Sequence, residues 1–233
     1  MRRTLAFATA ISILAFAAPA SAATLLTTSG TPLTERITGS SSPDGTSLHF
    51  ESSPSNYVVD YSSTDILHAS SEGGFAFVEG ATTTTGFGDL TITPESITFS
   101  TFKFNLHLPA SDGPDIPNGY QTDFTFDTTV FFSGGGSQMF TTDVGAGNGE
   151  NRYLLTAGAN EAISQIVFSD LVGVSTRNND PTLTNDFNFD SLRQVSFNAI
   201  VPEPATWAMF ILGFGVVGTM LRAARKRGAL QTV

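Results

Sequence analysis

Phenylalanine at every second position is the feature that most narrows what this chain can fold into. Phe75 and Phe77 alternate with polar or small residues, as do Phe102, Phe104, Leu106 and Leu108. The same holds for Phe124 and Phe126, for Phe187 and Phe189, and for Val195, Phe197 and Ala199. In an extended chain successive side chains point to opposite faces, so this spacing predicts strands with one face buried and one wet. Tyr57–Tyr61, Leu90–Thr93, Tyr153–Thr156 and Ile163–Phe168 are further strand candidates. Nothing in the region sustains apolar residues at i, i+3, i+4 and i+7, so helices are not expected there. Between the strands lie "GSSSPDG", "GATTTTGFG", "PASDGPDIPNG", "SGGGS", "GAGNGEN" and "RNNDPTLTND", all rich in turn formers. About ten short strands at this spacing predict an all-β fold, an antiparallel β-sandwich of jelly-roll type.

One strand region carries a flaw. In "SITFSTFKFNLHL" the apolar positions Ile97 and Phe99 are odd, whereas Phe102 through Leu108 are even. A one-residue slip moves every side chain to the other face, so a β-bulge or a kink between sheets is expected at Ser100-Thr101. His107 alternates with Leu106 and Leu108 and is expected to face solvent. Residues 23–48 hold few large apolar side chains and are expected to be partly mobile.

Both ends of the chain are unlike its middle. Met1-Arg2-Arg3 precedes an apolar run from Leu5 to Ala18, and "APASA" places small residues at Ala20 and Ala22. This is the layout of a secretory signal peptide over residues 1–22, cleaved after Ala22 by signal peptidase once the general secretion machinery has engaged it. Residues 205–221 carry no charge, and Arg222, Arg225, Lys226 and Arg227 follow at once. A full membrane span takes roughly 20 apolar residues, so a transmembrane helix here is short and Arg222 must snorkel. Trp207 suits the outer interface, and the basic cluster in 222–233 fixes that end in the cytoplasm. Residues 23–200 are then exported as one domain of 178 positions, large enough for its own core.

The junction is more specific than a plain anchor. Pro202 and Pro204 stiffen residues 201–204 into an extended segment that a processing enzyme's cleft can grip. Pro-Glu-Pro, then Trp207-Ala208, then a glycine-containing apolar stretch, then the Arg/Lys cluster resembles the PEP-CTERM sorting signal in its PEPxxWA form. The resemblance covers Val201 to Arg227. It implies a substrate of an exosortase, a membrane-embedded cysteine peptidase of Gram-negative bacteria that make an extracellular polysaccharide matrix. On it, Pro202, Glu203, Pro204 and Trp207 are recognised by the sorting enzyme. It also implies an inner-membrane-anchored periplasmic intermediate, then a place at the cell surface or in the matrix.

Composition bounds the chemistry of the exported part. The absence of cysteine excludes disulfides and thiolate sites. Between Ala23 and Ile200 stand five bases (Arg36, Lys103, Arg152, Arg177 and Arg193) against 20 acids, a net charge of −15. So acidic a domain is not expected to bind nucleic acid, and anionic polysaccharide should be repelled unless cations bridge the two. No Gly-x-Ser-x-Gly elbow and no His-x-x-x-His pair occurs. A triad assembled from distant segments stays open. Calcium is the candidate cofactor, through Asp112 and Asp115 in "SDGPDIPNG" and through Asp180, Asp186 and Asp190 in "NNDPTLTNDFNFD". Turn formation alone also accounts for those residues. "NDFNFDSLRQVSF" resembles the closing strands of carbohydrate-binding β-sandwiches, which implies a role for Asp190. The expectation is a non-catalytic surface or matrix protein associated with polysaccharide. An exported hydrolase, or a protein whose tail is never cut and stays in the inner membrane, is the alternative.

Overall fold

The computed structural model describes residues 23–28, 32–40, 44–81, 86–108, 121–145, 150–177, 180–186, 188–201, 211–212 and 214–215. The alternation gives strands throughout. In chain order they are β1 (Ala23–Thr27), β2 (Glu35–Ser40), β3 (Gly45–Ser53), β4 (Val58–Glu72), β5 (Phe75–Gly80), β6 (Leu90–Pro94) and β7 (Thr98–His107). Then follow β8 (Gln121–Phe132), β9 (Ser137–Gly145), β10 (Glu150–Ala157), β11 (Ile163–Arg177), β12 (Asp180–Asp186) and β13 (Ser191–Ile200). The described pairings are antiparallel.

All thirteen strands belong to one sheet. Seven of them form a closed barrel in the order β7-β13-β2-β3-β4-β6-β11, and the ring shuts where Ile163 of β11 pairs with Phe99 of β7. This replaces the expected two-sheet jelly roll. Alternation is the same in a sandwich and a barrel; what separates them is whether the last edge finds the first. The bulge decides it. Opposite Asn198 and Ala199 of β13 stand Thr101 and Phe99, leaving Ser100 as the extra residue. Ser100 Oγ donates to the Asn198 carbonyl at 3.2 Å. On the other edge of β7, Thr101 through His107 pair with β10, whereas Phe99 pairs with β11. The strand thus changes partner at the site where its parity slips.

Four of the six strands outside the ring form two wings, while β5 pairs with β4 and β13 and β12 pairs with β11. β1 and β10 extend the sheet from β7, while β8 and β9 extend it from β11. The wings face each other: Phe126 of β8 packs edge-on against Tyr153 of β10, with centroids 5.6 Å apart. The Ala23 amide donates to Gln138 Oε1 of β9 at 2.7 Å. Phenylalanine fills both spaces. Phe104 touches Tyr153 at 5.4 Å and Phe168 at 4.9 Å, so one aromatic cluster runs from the barrel into the wings. Phe87 and Phe189 exchange backbone hydrogen bonds of 2.9 and 2.8 Å and stack at 5.6 Å, tying the loop before β6 to the one before β13.

Two expectations need correction. Residues 23–48 supply β1, β2 and the start of β3, and two of their few large apolar residues, Ile37 and Leu48, are fully buried while Leu26 is exposed. His107 lies on the outer face of β7, but its side chain is only 18% exposed. Lys103 and Asn105 on the same face are buried too. β7 lies between β10 and β13, so it has no open edge.

A buried carboxylate locks the β3–β4 turn to the barrel. Glu35 at the start of β2 accepts from Ser52 Oγ at 2.8 Å, Ser55 Oγ at 2.6 Å and the Ser55 amide at 3.1 Å. Burial alone would raise this carboxyl; the three hydrogen bonds outweigh it and hold it below its ordinary value.

Candidate functional site

The structure puts the sequence-predicted residues in different places. Ala20, Ala22, Asp112, Asp115, Pro202, Glu203, Pro204, Trp207, Arg222, Arg225, Lys226 and Arg227 lie outside the described residues. Asp180 and Asp186 occupy the two ends of β12, opposite Arg177 and Val172. Six steps along the extended strand put their backbones roughly 20 Å apart. Asp190 precedes β13; its amide donates to the His107 carbonyl at 3.0 Å and its carboxylate lies 3.8 Å from His107 Nδ1.

Each histidine meets an aspartate. His68 Nδ1 lies 2.6 Å from Asp44 Oδ1, and His49 Nδ1 makes a direct contact with Asp60 Oδ1. Around the second pair the barrel assembles the one group of three metal-capable side chains among the described residues, His49, Asp60 and Glu95. β3 and β4 place His49 directly opposite Asp60, and Glu95 follows β6, its amide donating to the Val58 carbonyl at 3.1 Å. Their ligand atoms lie within 4.8 Å of one another. Two ligands of a single zinc ion stand about 3.3 Å apart, given bonds of ~2.0 Å. His49 and Asp60 are closer, at direct hydrogen-bonding contact, so the arrangement is a histidine–aspartate hydrogen bond beside the Glu95 carboxylate. Sequence reading missed it, though "SSPSN" between the strands carried a signal. A turn centred on Pro54 and Ser55 pairs His49 with Asp60.

The described part of the expected membrane segment is 211–212 and 214–215, both helical, where Ile211, Leu212 and Phe214 are exposed. Among the described residues no helix is long and apolar enough to cross a membrane. The β domain ends at Ile200, and a family match begins one residue later: residues 201–227 match the PEP-CTERM protein-sorting motif. The chain carries a PEP-CTERM sorting signal. This motif implies recognition by an exosortase, and with it export and membrane-associated sorting. No curated protein and no solved structure matches the chain.

Proposed function

We propose that this is an exported, non-catalytic protein of the cell surface or extracellular matrix, released from a membrane intermediate by exosortase and associated there with polysaccharide. Residues 1–22 direct export and are removed after Ala22. Residues 205–221 span the inner membrane as a helix, with Arg222, Arg225, Lys226 and Arg227 on the cytoplasmic side. Cleavage near Pro202-Glu203-Pro204 then frees the β domain. The observation that carries this reading is the sorting motif at 201–227, which starts where β13 ends. β13 pairs with β7, β2 and β5, so it is an interior strand that a cut beyond Ile200 leaves in place.

The test is intact mass and location in hosts with and without the exosortase. A product lacking everything beyond the Pro-Glu-Pro region, found outside the inner membrane only when the enzyme is present, is the expected result. A full-length tail in the inner membrane of both strains refutes the sorting reading. Polysaccharide binding is then measured with and without calcium.

A further inference from the structure

Signal-peptide removal and the fold meet at one bond. Cleavage after Ala22 breaks the peptide bond whose nitrogen belongs to Ala23, and Ala23 is the first residue of β1. That same nitrogen donates to Gln138 Oε1 at 2.7 Å, the contact that ties β1 to β9 across the space between the wings. Ala23 stands opposite Ala157 on β10 and is 8% exposed. Gln138 stands opposite Val130, which is fully buried, so its side chain lies on the inner face of its wing. A protease grips an extended segment whose main chain can pair with the cleft. A bond whose amide is already hydrogen-bonded, at the start of a buried ladder, does not meet that need.

We propose that β1 is a strap whose docking closes the signal-peptidase site: a domain that folds completely shields its own scissile bond, so the cut must come before β1 docks. The new amino terminus then latches onto Gln138. This rests on the assignment of residues 1–22 as a cleaved signal peptide.

The fold lets β1 work as a strap. The ring β7-β13-β2-β3-β4-β6-β11 contains no part of it, and among the described residues β1 pairs only with β10. The barrel can therefore close while β1 is still undocked. The strap is also lightly held. Its pairs run from Ala23↔Ala157 to Thr27↔Tyr153, and the Thr28 amide donates to the Arg152 carbonyl at 2.9 Å. Thr24, Leu26 and Thr27 are exposed, which leaves Ala23 and Leu25 to pack against the core. The latch sits at the end that cleavage releases, so β1 can close from Thr28 towards Ala23. There the cut turns an amide into an ammonium, and a charged donor makes the stronger hydrogen bond to Gln138.

The sorting site at the other end behaves differently. Ile200 pairs with Thr98 at the end of β13, and Val201, where the sorting motif begins, is 49% exposed. That site lies past the last ladder pair and stays open after folding, whereas the signal-peptide site closes with β1.

The test uses the full-length precursor, made without signal peptidase, folded and purified in detergent, then treated with the purified peptidase. Leu25→Glu puts a charge on the buried side of β1 and undocks the strap, while Gln138→Ala removes the acceptor. Neither touches Ala20, Ala22 or Ala23. Where opening is fast, cleavage follows the population of the open form. Leu25→Glu should be cut at least ten-fold faster than the parent, because a charge replaces a half-buried leucine. Gln138→Ala should be cut about two- to ten-fold faster, the worth of one hydrogen bond. Leu26→Glu, on the exposed side of the same strand, should be cut as the parent is. Melting should stay cooperative in all of them, since β1 is outside the ring; if Leu25→Glu loses it, the Gln138→Ala rate decides. Cleavage after Ala22 at one rate in the parent and both opening variants defeats this inference alone. Cleavage at another bond, or at none in any variant, defeats the signal-peptide assignment and this inference with it.

Discussion

Tyr61 tests the packing of the barrel directly. It stands near the start of β4, opposite Leu48 on β3 and Ile92 on β6, and is 1% exposed. Its ring meets Phe50 edge-on at 4.7 Å, but its hydroxyl has no hydrogen-bond partner among the described residues. Tyr61→Phe keeps the ring and its contacts and removes only the oxygen. Leaving a polar group buried and unpaired costs about 1–3 kcal/mol, so the variant should be more stable by about 1 kcal/mol or more after a small cavity cost. In a domain of this size that raises the melting temperature by about 2–4 °C. Urea unfolding should show a higher midpoint with the same slope. The alkaline limb gives a second reading. Burial raises the Tyr61 hydroxyl far above its ordinary 10.0 and Tyr153 to about 12. Groups raised on folding contribute stability below pH 10 that is lost as pH climbs toward the folded value. Tyr61→Phe should therefore lose less stability above pH 10 than the parent. A variant that is destabilised, or that shows the parent's alkaline slope, refutes the reasoning and means that the hydroxyl is hydrogen-bonded, as by a buried water.

Two further outcomes follow from the barrel. Because Glu35 is held below its ordinary 4.5, its contribution is present above that pH and lost as pH falls through the folded value. Acid unfolding followed by fluorescence should show this drop, and Glu35→Gln should flatten it. Deleting Ser100 removes the extra residue at the β7 corner and turns Ile97 and Phe99 outward relative to Phe102 and Phe104. Two buried side chains exposed cost about 3–6 kcal/mol; a deletion variant that melts like the parent rules out the closure described above.

What could be read from sequence was what is local. The alternating phenylalanines gave strands, and the shift from Phe99 to Phe102 located the bulge, because each is a property of a few adjacent residues. Closure was not readable, because it depends on Phe99 meeting Ile163, which no short-range pattern encodes. Residues 23–48 were misjudged by counting apolar side chains, since Ile37 and Leu48 complete the ring with few residues that are fully buried. The His49–Asp60 pair was within reach through its turn; Glu95, arriving from β6, was not.

Charge shows the same limit and links the domain to its tail. A net charge is blind to position, and −15 argued against any polyanion. Yet the bulge at Gln194 and the order β10-β7-β13-β2 set four bases side by side. The chain's other six basic residues besides Arg177 lie at Arg2, Arg3 and in the Arg222–Arg227 cluster, within the segments assigned to export and anchoring. While those segments are attached, the strongest positive charge belongs to the ends, where it orients the protein in the membrane. Their removal takes the charge from −10 to −15.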